Sequence, residues 1–210
     1  MFKEYTLGRK YTTRSDQGQG SIVQRIQRDF PEIEWEQVDS KHFLEFKLGL
    51  FSDLVEGNHT WTVRYKPGVV RWPYNSYNKE SHNRLPFCFS EAIPAGQFVL
   101  IEEAAVGEVT IPKMAVGYIR DWPEKHKSIA GSGWESKEHM IDGLSDIYEP
   151  IYGNRLGPDD ILVAYALKDV SLYPKIADKW ELAKETGLSA RKWQRELLLS
   201  LPCPRNGTDN

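Results

Sequence analysis

Residues 55–65 read VEGNHTWTVRY, and the fold turns on how this stretch is read. Gly57 closes a short helical pattern, LGLFSDLVEG, because glycine enters the left-handed conformation that ends a helix without steric cost. From Thr60 the residues alternate. Trp61, Val63 and Tyr65 fall on one side of an extended chain, and Thr60, Thr62 and Arg64 on the other. The polar side is either a decorated strand face or the floor of a binding or catalytic pocket.

Outward from that strand, the chain reads as short strands with helices toward its ends. Upstream, SIVQRIQRDF places Ile22, Ile26 and Phe30 at helical spacing with Ser21 as N-cap. RKYTTRSDQGQG before it has no apolar period and reads as a mobile loop. KHFLEFKL is a strand by its aromatic content, and KPG after Tyr65 is a turn. A long polar loop runs from about Pro73 to Arg84, with Arg71, Trp72, Tyr74 and Tyr77 as a possible second wall for a site. GQFVLIEEAAVGEVTIPKMAVGYIRDW supplies two or three strands with a break at Gly107. Glu102, Glu103 and Glu108 lie on them, as edge residues or as acids and bases.

ESKEHMIDGLSDIY is a helix capped by Ser136, with Met140, Ile141, Leu144, Ile147 and Tyr148 along it. DILVAYALKDV is a mostly apolar strand that suits burial on both faces. KIADKWELAKETG and LSARKWQRELLLSL form a helical hairpin split at Gly187, the second helix capped by Ser189. This order predicts an α+β protein built on a small mixed β-barrel. The expected division is an N-terminal basic arm and short helix over residues 1–42, a central domain over 43–172, and a C-terminal hairpin and tail over 173–210.

Composition narrows the function. The 210 residues are 40% hydrophobic and 27% charged, which suits one domain with appendages. The net charge of −3 sets up no global attraction to nucleic acid, so any such contact needs a local basic patch. No apolar run approaches the roughly 18 residues of a membrane span, and MFKEYTLGRK has no apolar signal region. With Cys88 and Cys203 far apart and without metal spacing, the expectation is a cytoplasmic chain with no metal and no cofactor. No phosphate-binding glycine loop, nucleophile elbow or zinc-protease motif appears.

Two stretches together carry a resemblance. GNHTWTVR at Gly57–Arg64 is similar to the G-x-K-T-x-T-x-R signature of ASCH domains, relatives of the PUA-like barrels. SGWESKEHMIDGLSDIYEPIY and LGPDDILVAYALKDV resemble that family's later loop, helix and final strand. The resemblance covers roughly residues 43–170. It implies a PUA-like small mixed β-barrel with flanking helices, and a cleft between the motif strand and the later loop. That cleft would bind RNA, single-stranded nucleic acid or a modified nucleotide.

Some relatives act as amidohydrolases on N4-acetylcytidine through a Lys and a Thr of the motif and a Glu of the later loop; others are reported with nuclease activity. Here the motif's Thr positions match Thr60 and Thr62 and its Arg matches Arg64. The Lys position is His59, and the acidic position falls near Ser132, with Glu135 three residues on. These departures favour a binder over a deacylase.

The expected binding set is therefore His59, Thr60, Thr62, Arg64, Arg120, Trp122, Lys125 and Ser132. In a hydrolase, His59 and Thr62 would be catalytic, with His59 as the base. They sit three apart on a strand, so they meet only if the chain turns at His59. Arg64 either pairs with a carboxylate such as Asp142 or Asp146 or clamps a phosphate. In YIRDWPEKHKS, Arg120, Lys125, His126 and Lys127 interleave with Tyr118 and Trp122, the mixture that single-stranded nucleic acid needs. A further alternative is an interaction module. Trp193, Leu197, Leu198 and Leu201 then form a stripe for a protein partner or a second copy.

Overall fold

The computed structural model describes residues 1–7, 22–37, 44–72, 83–92, 98–100 and 105–186. The arm residues 8–21 with Ser21, most of the polar loop with Tyr74 and Tyr77, Glu102 and Glu103 lie outside these residues. So do the second C-terminal helix with Ser189 and its Trp–Leu stripe, and Cys203.

The described chain is mixed α+β. Its elements run β1 (Phe2–Thr6), α1 (Ile22–Asp29), β2 (Glu34–Gln37), β3 (Leu44–Lys47), α2 (Phe51–Val55), β4 (Trp61–Tyr65), β5 (Val69–Trp72) and β6 (Arg84–Ala92). They continue with β7 (Phe98–Leu100), β8 (Gly107–Thr110), β9 (Lys113–Tyr118), α3 (Lys127–Gly131), α4 (Lys137–Tyr152), β10 (Ile161–Ala166), β11 (Lys168–Leu172) and α5 (Pro174–Glu185). The motif strand, the strands after Gly107, the capped helix and the first helix of the hairpin all fall where the sequence pattern puts them.

A four-stranded antiparallel sheet has the order β1-β9-β10-β4. A second sheet has the order β11-β8-β6-β3, with β3 parallel to β6 and β7 added to the end of β6. β2 and β5 form a separate parallel pair. Among the described residues no sheet closes into a barrel, so the expected closure is not formed. β4 ends the first sheet and β3 ends the second, and no ladder joins them.

The first sheet is buried on both faces, which explains the apolar run in β10. Met114, Val116, Val163 and Tyr165 join Leu44, Phe46, Leu85, Phe87, Phe89 and Val109 of the second sheet in one core. Ile26 of α1, Phe30 just after it, Phe51 and Leu54 of α2, and Trp180 of α5 join that core. The alternate residues Trp61, Val63, Ala115, Leu162 and Ala164 pack with Ile129 of α3 and Met140 and Leu144 of α4. The period of two thus sends each strand's side chains into two different cores.

α4 starts where Ser136 Oγ accepts the His139 amide at 3.1 Å and stops at Gly153, whose φ is 84°. Trp134 lies against Gly143 so closely that a Cβ there would stand 2.3 Å from its ring. This contact fixes residues 131–135 on α4.

A hydrogen-bonded chain joins β1 to α3. Trp122 Nε1 donates to Ser128 Oγ at 3.3 Å, which leaves the Ser128 hydroxyl proton for His126 Nδ1 at 2.7 Å. The Ser128 amide also donates to Nδ1, at 3.2 Å, so His126 serves as the N-cap of α3. With Nδ1 accepting, the ring proton sits on Nε2 and points to Glu4 at 3.0 Å. Ser128 is fully buried, so this is a structural tie and not an accessible nucleophile. Ser128→Ala strands the indole N–H of Trp122 and is expected to cost about 1–3 kcal/mol, read as a lower midpoint in chemical denaturation. An unchanged midpoint removes the tie.

Candidate functional site

The chain turns at His59, as His59 and Thr62 need if they are to share one side of the strand. Gly57 has φ 80°, and the amides of Asn58 and His59 both donate to the Asp53 carbonyl, at 2.7 and 2.9 Å. This reversal brings His59 round to the side of β4 that carries Thr62 and Arg64. His59 and Thr62 are 7% and 3% exposed, so neither is a loose surface residue. Thr62 lies opposite Tyr165 and Arg64 opposite Val163 in the ladder to β10.

Arg64 does not make the expected pair with Asp142 or Asp146. Its guanidinium donates to the backbone carbonyl of Glu45 at 2.6 Å and lies 5.3 Å from the centre of the Phe46 ring. Asp142 and Asp146 belong instead to Arg155, which also binds Glu149. The physical reason is direction: Arg64 points away from the α4 side of the sheet, toward β3. It therefore bridges β4 and β3, each the last strand of its sheet among the described residues. The His59 ring meets the same Phe46 edge-on, with centroids 6.1 Å apart. His59, Thr62 and Arg64 thus share one side of β4, at the seam with β3, where Phe46 meets both His59 and Arg64; His59, Thr62 and Phe46 are all buried.

The electrostatics of the seam are set by burial and by one cation. Burial first, and then the nearby Arg64 guanidinium, lower the His59 pKa from 6.5 to about 4, against an opposing pull from Asp53. His59 is therefore a neutral imidazole at physiological pH. Burial, helped by Glu45 and opposed by Arg64, pushes the Cys88 thiol up to about 11, so it is a packed hydrophobe and not a nucleophile.

The other expected site residues are placed elsewhere. Ser132 reaches the start of β4, since the Thr60 amide donates to the Gly131 carbonyl at 2.9 Å. It does so from α3, on the opposite face of the sheet from Thr62 and Arg64. The Ser132 hydroxyl is buried with no hydrogen-bond partner among the described residues. Thr60 is exposed at the junction of the two faces.

Arg120 lies beyond the end of β9 that pairs with the far end of β10, away from His59. It pairs with Asp159 and sits 4.7 Å from the centre of the Tyr118 ring. Trp122 is 1% exposed and packed on Phe2 and His126, so its ring is core and offers no stacking surface. Lys125 is exposed in the turn before α3. The basic and aromatic run is therefore not one platform. Trp122 is turned inward by the packing of strand, turn and helix, which the local mixture of residue types does not reveal, while Tyr118 stays half-buried with its hydroxyl on Glu32.

Phe46, Glu45 and Asp53 complete the seam and were not singled out as site residues. Only the aromatic strand KHFLEFKL pointed at Phe46, and nothing in sequence links it to Arg64. No group of three or more His, Cys, Asp or Glu residues suited to a metal exists among the described residues. No helix among the described residues is long and apolar enough to cross a membrane.

No protein-family model, curated protein or solved structure matches this chain.

Proposed function

We propose that the chain is an ASCH-like, PUA-like domain that binds RNA, single-stranded nucleic acid or a modified nucleotide at the seam between β3 and β4. The observation that carries this reading is the convergence of His59, Thr62 and Arg64 on one side of β4, beside an edge that no strand among the described residues closes. The order of motif strand, later loop, helix and final strand supports it, as does the Thr60–Gly131 hydrogen bond that joins strand to loop. Arg64 retains N–H groups beyond the one given to Glu45, and a guanidinium forks well onto phosphate. The inward turn of Trp122 favours a short ligand over a long strand. We place the chain in the cytoplasm, in keeping with its buried free Cys88.

Fluorescence anisotropy with a labelled single-stranded oligoribonucleotide tests the reading. Arg64→Ala is expected to weaken binding at least tenfold, while Arg120→Ala leaves it nearly unchanged. Binding should weaken with salt, with a slope of about −0.7 per phosphate contacted. Equal losses in both variants, or no salt-sensitive binding to any oligonucleotide or nucleotide, sink the proposal.

A hydrolase on the same seam is the second reading. It is favoured by the neutral imidazole of His59 on the Thr62 side of the strand. Turnover of N4-acetylcytidine or of an RNA ladder that disappears in Thr62→Ala supports it, and absence of turnover removes it.

A further inference from the structure

The last turn of α4 carries an apolar surface that the core does not reach. Ile151 lies about three turns beyond Met140 on the same side of the helix. It is nonetheless 52% exposed, while Met140 is buried. Tyr152 beside it is 36% exposed. The Tyr152 ring stacks on Tyr148 one turn back, with centroids 6.0 Å and planes 20° apart. Tyr65, at the end of β4, meets both rings edge-on at 5.7 Å each. Hydrogen bonds hold this shelf in place. The Tyr65 hydroxyl donates to Asp160 Oδ1 at 2.8 Å, and Asp160 Oδ2 accepts the Gly157 amide at 2.7 Å.

Carboxylates border the shelf. Asp142, Asp146 and Glu149 follow one another along one side of α4, and all three share the Arg155 guanidinium. Among the described residues one cation thus answers three carboxylates, and the border is net negative. Such a border repels phosphate. It also lies on the α4 side of the sheet, the opposite face from Arg64. The charge therefore favours a cationic occupant over nucleic acid.

We propose that the shelf of Tyr65, Tyr148, Ile151 and Tyr152 docks an arginine-bearing peptide segment of a partner protein. A guanidinium is planar and lies flat on an exposed tyrosine ring. Glu149 and Tyr152 are neighbours three apart on the helix, so a guanidinium on that ring has a carboxylate beside it. Proline or leucine next to the arginine covers Ile151. Four side chains make the footprint of a short peptide and not of a folded domain. This surface is independent of the nucleotide reading.

Fluorescence anisotropy on the full chain tests the inference with an array of labelled dodecapeptides. Each holds arginine among Gly, Ser, Pro and Leu, and a matched array carries uncharged citrulline in its place. Arginine peptides with Pro or Leu alongside are expected to bind, and more weakly as salt rises. Their citrulline counterparts are expected to bind at least tenfold more weakly. Tyr152→Ala, and separately Glu149→Gln with Asp146→Asn, should each cost at least tenfold with an unchanged circular dichroism spectrum. Arg155→Gln, which frees the carboxylates, should tighten binding.

The inference is overturned if no arginine peptide binds, if citrulline peptides bind equally, or if Tyr152→Ala leaves binding unchanged. It is also overturned by a chain that sediments as a dimer and becomes monomeric in Tyr152→Ala, because a second copy then covers the shelf. None of these results bears on the oligoribonucleotide binding tested through Arg64.

Discussion

Gly107→Ala is expected to destabilise the protein by about 3 kcal/mol, a large fraction of the stability of an ordinary domain. Gly107 sits in β8 between two partners, opposite Phe87 of β6 and Leu172 of β11. The β11 ladder is irregular between Lys168 and Ser171, and Asp169 there takes φ 51°, an uncommon conformation for a residue with a side chain. The carbonyl of Ser171 lies over Gly107. A Cβ at Gly107 would stand 2.2 Å from that oxygen and 2.9 Å from the Phe87 ring. The oxygen belongs to sheet backbone and the ring is fully buried, so neither can move aside cheaply. Urea denaturation of Gly107→Ala checks this. A loss below about 1 kcal/mol shows that β11 yields and that the close approach is not a constraint.

The second large effect is a loss of stability in acid that belongs to His59. Its pKa is lowered in the fold from 6.5 to about 4, so between those values the unfolded chain binds a proton that the folded chain refuses. Stability therefore rises with pH across that window and is lost as pH falls from about 6.5 to about 4. The loss is on the order of 3 kcal/mol, since each pKa unit is worth about 1.4 kcal/mol. Carboxylates titrate in the lower part of the same range, so the wild-type profile alone does not isolate the histidine. His59→Gln carries no titrating group and is expected to show a flatter profile above pH 5, where the carboxylates contribute least. Parallel profiles for the two proteins would falsify the assignment of a buried neutral imidazole.

Both effects involve residues that the sequence brings into view for other reasons. Gly107 is readable as a break between strands, because glycine interrupts an otherwise β-rich run. The Ser171 carbonyl that leaves no room for a Cβ lies in β11, more than sixty residues away, and leaves no mark near Gly107. His59 is readable in sequence as the residue just after the Gly57–Asn58 turn, ahead of the alternating strand. Its burial is not readable, since a histidine after Gly-Asn ordinarily marks an exposed turn. The double hydrogen bond to Asp53 overrides that tendency by folding the chain back against α2.

Local pattern determined a good deal. The alternation in Trp61–Tyr65, the stop at Gly57, the cap at Ser136 and the apolar run of β10 follow from steric and hydrogen-bonding rules that act within a few residues. Those rules place the elements and establish a mixed α+β chain. Only the tertiary structure decided which edges stay open and where Arg64 reaches. Sheet closure depends on how two edge strands meet, and β3 and β4 meet through a side chain and an aromatic ring instead of a ladder. Local rules cannot see that, because the partners lie in separate elements and their approach is set by the packing of the core between them.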